Sequence, residues 1–162
     1  MKKIIAIICV FMLSACATVY DPIPEGYVGD TATIKDYMTD LSDSNAHYFM
    51  CIKVDGKYIE NSWGATRGQN YGRGMIFDPV ITTRKVLPVE QTLTLQGLVF
   101  FPTDAQSLFG DEMAVTHDFI FTPIAGETYT VKGELSKDGS TIWLEDFQGN
   151  VVDGSEKKAE IN

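Results

Sequence analysis

Tyr129-Thr-Val-Lys-Gly-Glu-Leu135 alternates in type: Tyr129, Val131 and Leu135 fall on one side, Thr130, Lys132 and Glu134 on the other. A period of two marks a strand with one face buried and one face wet. Asp138-Gly139 follows, and Thr141-Ile-Trp-Leu-Glu-Asp-Phe147 takes up the strand character again. Asp-Gly between two such runs predicts a hairpin, because a turn that matches strand twist needs positive φ at its central positions. The arrangement occurs once more, earlier in the chain. Ala46 to Val54, rich in aromatic and β-branched residues, meets Asp55-Gly56 and resumes as Lys57-Tyr-Ile-Glu60.

Working outward, Thr92 to Phe101 and Asp118 to Thr122 carry further strand signals, with weaker ones at Thr31 to Tyr37 and Ile81 to Leu87. About seven or eight short strands at regular spacing predict an all-β chain, a single antiparallel β-sandwich of Ig/transthyretin-like kind. The sandwich is expected over residues 28–152. Residues 16–27, with Pro22, Pro24 and Gly26, read as a spacer, and 153–162 as a polar tail frayed at its end. No long amphipathic helix is predicted; at most a helical turn or two fits within Thr103 to Met113.

The first residues read as an address. Met1-Lys2-Lys3, an apolar run from Ile4 to Met12 and Leu13-Ser14-Ala15-Cys16 have the order of a secretory signal peptide, residues 1–15. The apolar run is far shorter than the ~18–20 residues of a spanning helix. Leu-Ser-Ala-Cys resembles a bacterial lipobox, which implies cleavage before Cys16 and lipid on its thiol. Acyl chains anchor a domain stably without a transmembrane helix. Ala17 in place of Asp implies sorting to the outer membrane of the cell envelope. Cleavage removes Lys2 and Lys3 from 13 basic residues and none of the 22 acidic ones, so the net charge falls from −9 to −11. That balance argues against nucleic acid as a partner, since phosphate binding needs a basic surface. Of three cysteines, Cys9 leaves with the leader and Cys16 takes lipid, so Cys51 is expected as a buried free thiol.

Ser62-Trp-Gly-Ala-Thr-Arg-Gly-Gln-Asn-Tyr-Gly-Arg-Gly74 stands out in an acidic chain: four glycines, two arginines, two aromatics and no acid. It reads as a long loop. Trp63 and Tyr71 offer faces for sugar rings, and Arg67 and Arg73 offer forks for carboxylate or phosphate. These four are the candidate ligand-binding residues; the plain alternative is a connection whose aromatics cap the sandwich. A Cys51–His117–Asp118 set is a poor nucleophile, because neighbours on a strand point to opposite faces. Asp36, Asp40 and Asp43 with Ser42, Ser44 and Asn45 are oxygen-rich, but without the EF-hand order they read as a turn. No cofactor or metal site is expected.

Val54-Asp-Gly-Lys57, the Thr66 to Gly74 segment, Phe121-Thr-Pro-Ile-Ala-Gly-Glu-Thr-Tyr129 and the 131–146 hairpin together resemble small bacterial lipoproteins. The Phe-x-Pro-x-x-Gly-x-x-Tyr turn resembles that of PEGA-type β-sandwich modules. The resemblance implies a lipid-anchored envelope protein and transfers no catalytic residue. The expectation is a non-enzymatic binding or scaffolding module with an envelope protein or glycan as partner; the alternative is an envelope hydrolase or an inhibitor of an envelope enzyme.

Overall fold

The computed structural model describes residues 19–42, 45–73, 77–103, 107–108 and 113–159. Its elements in chain order are β1 (Ala32–Lys35), β2 (Tyr37–Thr39), β3 (Ala46–Val54), β4 (Lys57–Tyr58), α1 (Ser62–Asn70), β5 (Thr83–Val86), β6 (Gln91–Phe100), β7 (Ala114–Phe121), β8 (Thr128–Glu134), β9 (Ser140–Glu145) and β10 (Lys157–Ala159). Strands account for 46% of the described residues and form two packed sheets, an all-β sandwich. One sheet has the order β10-β9-β8-β1-β5; the other has the order β2-β3-β6-β7, with β4 paired to β3.

Both hairpins form. At the first, Asp55 and Gly56 take φ of 49° and 74°, the double positive that the turn requires. At the second, Gly139 is positive, and the turn is wider, closed by Gly139 N–H donating to the Ser136 carbonyl at 3.3 Å. Four expectations need correction. The sandwich is mostly rather than wholly antiparallel, because β1 runs parallel to β8; strands so far apart in sequence carry no hairpin constraint on direction. The tail contributes to the sandwich: Lys157–Ala159 pairs with Thr141 and its neighbours as an edge strand, and its last residues, 160–162, lie outside the described residues. The spacer is tied down within its length, since Tyr20 bridges to Ile59 and packs against the core. Finally, residues 62–70 form a helix rather than a loop. The helical turn expected within 103–113 falls largely outside the described residues.

The main core lies between the sheets. Ala32, Ile34, Val86, Tyr129, Val131, Ile142 and Leu144 from one sheet meet Phe49, Cys51, Leu93, Leu95, Val115 and Phe119 from the other. Phe49 sits closest to backbone. A Cβ added to Gly133 would collide with the Phe49 ring and the Thr141 carbonyl, and one added to Gly97 would crowd the same ring. Two strands from opposite sheets thus lack side chains where this one ring needs room.

β3 is buried on both faces. Its outer residues Tyr48, Met50 and Ile52 form a second cluster with Phe100, covered by Trp63 and Phe77. That covering layer carries the candidate site.

Candidate functional site

Helix α1 is unusual in what it buries. Its buried residues are Ser62 and Thr66, one turn apart, and both are polar. Asn61 caps the start, its side chain accepting from Gly64 N–H at 3.0 Å. Ser62 Oγ accepts from Thr82 N–H at 2.8 Å. Thr66 Oγ1 accepts from Val80 N–H at 2.9 Å and donates to the Val80 carbonyl at 3.3 Å. Asn70 accepts from Asp78 N–H at 2.9 Å and donates to the Asp78 carbonyl at 2.8 Å. Side chains at every fourth helix position therefore bind backbone at every second position of the extended 78–82 segment, running the opposite way. The Thr66 hydroxyl also takes the Tyr48 hydroxyl at 2.9 Å from below. Burial raises the Tyr48 pKa, and the Thr66 contact offsets this only in part.

With its polar stripe turned inward, α1 and its C-cap Tyr71 set Trp63, Arg67 and Tyr71 along an adjoining face at the spacing of i, i+4, i+8. These three line a groove of about 690 Å³, whose opposite wall is the end of β6 and the start of β7: Leu98, Phe100, Phe101, Pro102, Met113 and Ala114. The Arg67 guanidinium lies 5.3 Å from the centre of the Trp63 ring. Trp63 is half-buried, its backbone N–H donating to the Met50 sulfur at 3.2 Å, whereas Tyr71 is 90% exposed. No described carboxylate pairs with Arg67. The groove therefore offers a cation braced on an aromatic face beside an apolar wall, an arrangement that fits an acidic group attached to an apolar or ring-bearing body.

Three of the four candidate residues thus come together. The fourth, Arg73, does not line this groove; its guanidinium sits 3.6 Å from Asp78 on the covering segment. Helical spacing was the signal that linked the other three.

The remaining candidates separate. Cys51 is paired in register with Leu95, which is paired with His117, so a whole strand lies between thiol and imidazole, about 9–10 Å. Cys51 is fully buried and its pKa is pushed up to about 12, chiefly by desolvation, so it stays a thiol. His117 Nε2 lies 3.0 Å from the Gly154 carbonyl, and His47 Nδ1 lies 3.1 Å from the Asp40 carboxylate. Of the oxygen-rich segment, Asp43 and Ser44 lie outside the described residues. Asp36 is buried in an ion pair with Arg84 at 2.6 Å. Among the described residues, no group of three or more His, Cys, Asp or Glu side chains could hold a metal ion. Cys16, the expected lipid site, lies outside them.

The chain matches no family model, no curated protein and no solved structure.

Proposed function

We propose that this chain is a lipoprotein of the bacterial cell envelope, held by acyl chains on Cys16, and that its domain is a non-enzymatic binding module. The anchoring rests on the leader and lipobox; Ala17 favours the outer membrane. The binding role rests on one observation: Trp63, Arg67 and Tyr71 line a single groove against apolar residues of β6 and β7. Its ligand is an envelope protein or glycan that carries a carboxylate or comparable acidic group beside an apolar or sugar face. Arg supplies the two-pronged contact, and Trp and Tyr supply the faces. Two packed sheets and a chain that passes from one sheet to the other at Asp36 support an Ig/transthyretin-like sandwich as its finer class.

The test is an envelope pull-down with the soluble domain, comparing wild type with a Trp63→Ala/Arg67→Ala variant. Arg73→Ala serves as a control, since Arg73 points to Asp78. A protein or glycan retained by wild type and by Arg73→Ala, and lost by the double variant, supports the groove. Equal recovery by all three folded proteins would overturn it.

A further inference from the structure

We infer that the domain stands on its membrane by the β4 end and presents the groove away from the lipid. The inference rests on the proposed lipid at Cys16 and adds an orientation to it. Tyr20 N–H donates to the Tyr58 carbonyl at 2.9 Å, and the Tyr20–Ile59 bridge is parallel. Tyr20 is therefore fixed to the domain, four residues after Cys16. Four residues reach at most about 14 Å.

The direction follows from the strand register. β4 runs back along β3 from the Asp55–Gly56 turn, and Ile59 N–H donates to the Ile52 carbonyl at 3.0 Å. A parallel partner of Ile59 leads out of the domain, read backwards from Tyr20, on the side of Lys57 and that turn. The groove lies the other way. Its wall includes Phe100, which is paired with Ala46, six residues along β3 from Ile52. That is about 20 Å along the strand axis. Helix α1 runs in that direction, from Trp63 beside Met50 toward Tyr71, and lines the groove along its length.

The surface at the tether suits a headgroup layer. The Lys57 ammonium lies 4.4 Å from the centre of the Tyr20 ring, and the Lys53 ammonium 4.5 Å from that of Tyr58, which is 63% exposed. Beside them is a hollow of about 640 Å³ whose lining mixes apolar Val19, Tyr20, Ile23 and Ile59 with the cation Lys85 and the acids Asp21 and Glu60. Tyrosine and lysine favour the membrane interface, where ring and stem meet hydrocarbon and the polar tip meets water or anionic lipid. The occupant of this surface is the bilayer that holds the Cys16 acyl chains, so the groove's ligand approaches from the compartment and not from that leaflet.

The full chain, purified with its native lipid, is labelled with one fluorophore on Lys57→Cys or on Tyr71→Cys and reconstituted into phosphatidylethanolamine–phosphatidylglycerol vesicles carrying an acceptor on a headgroup. Buried Cys51 stays unlabelled. Strong energy transfer from Lys57→Cys and weak transfer from Tyr71→Cys are expected. Equal or reversed transfer in protein that floats with the vesicles would overturn the orientation alone. Protein that carries no lipid by mass and does not float would overturn the anchor, and the orientation with it.

Discussion

Asp36 and Arg84 together stand in for a strand that Cys51 lacks. β1 ends at Lys35 in one sheet and β2 begins at Tyr37 in the other, so Asp36 is where the chain changes sheet. There the Asp36 carboxylate accepts from Cys51 N–H at 3.1 Å, and Arg84 donates to the Cys51 carbonyl at 2.9 Å. The same carboxylate accepts from Ser62 N–H and Ser62 Oγ, each at 2.8 Å, which fixes the start of α1. A buried ion pair does not stabilise by charge alone. This one satisfies a peptide group at a corner where no backbone can reach it.

Removal of one partner leaves the other charge buried and unpaired. Arg84→Met is expected to cost about 3–5 kcal/mol in urea denaturation. Arg84→Lys should fall between it and wild type, because an ammonium lacks the fork that serves Asp36 and Cys51 at once. A loss under about 1 kcal/mol for Arg84→Met would contradict the assignment.

Thr66→Val keeps the shape and removes the hydroxyl, stranding Val80 N–H and the Tyr48 hydroxyl. The expected cost is about 1–3 kcal/mol. Amide exchange at Val80 should accelerate more than at residues of β8, which the change does not touch.

Gly133→Ala forces a methyl group into the Phe49 ring and the Thr141 carbonyl. Overpacking of this kind costs about 1–3 kcal/mol. Adding Phe49→Leu should recover part of the loss, so that the double variant is more stable than the two single effects predict; strict additivity would show that the ring is not the obstacle.

Cys51 titrates at 9.0 when free of its surroundings and at about 12 in the fold. Its folded pKa is raised, so its contribution to stability is whole below pH 9.0 and is lost as pH rises toward 12. Stability measured across that window should fall less in Cys51→Ala than in wild type. Alkylation of Cys51 should follow unfolding.

Asp146 behaves in the opposite sense. Its carboxylate accepts from Asn150 Nδ2 at 3.0 Å and from Asn150 N–H and Gln148 N–H at 2.8 Å, and these bonds, the Asn150 side chain first, hold its pKa below 3.8. The turn's bonds should persist above that value and loosen as pH falls through the lowered pKa. Amide exchange at Gln148 and Asn150 in Asp146→Ala should match that of wild type in strong acid.

The parts of this fold legible in the sequence are those whose burial follows a simple period. β8 and β9 declare themselves through Tyr129, Val131, Ile142 and Leu144, and the Asp55–Gly56 turn through its φ requirement. β10 was hidden because Lys157-Lys-Ala159 is an edge strand with no apolar pattern to show. α1 was hidden twice over. Gly64 and Gly68 lower helix propensity, and the stripe it buries is Ser62 and Thr66, which a search for apolar periodicity passes by. The groove residues were visible by type, yet their convergence required the helix, and Arg73 falls beyond its end. Asp36 looked like one of several turn acids; only its position between two sheets makes it part of the core.

The ladder between α1 and the 78–82 segment works like a vernier. Four helical residues advance about 6.0 Å, and two extended residues about 6.6 Å. Each step adds about 0.6 Å of mismatch, so rungs at Ser62, Thr66 and Asn70 stay within bonding range, and a fourth would slip by nearly 2 Å. The helix ends with the third rung, at Asn70. The groove's helical wall is thereby held by bonds on its hidden side, which leaves the exposed Arg67 and Tyr71 free to be exchanged for other side chains without resetting the scaffold that carries them, whereas Trp63 also covers the cluster around Tyr48, Met50 and Phe100.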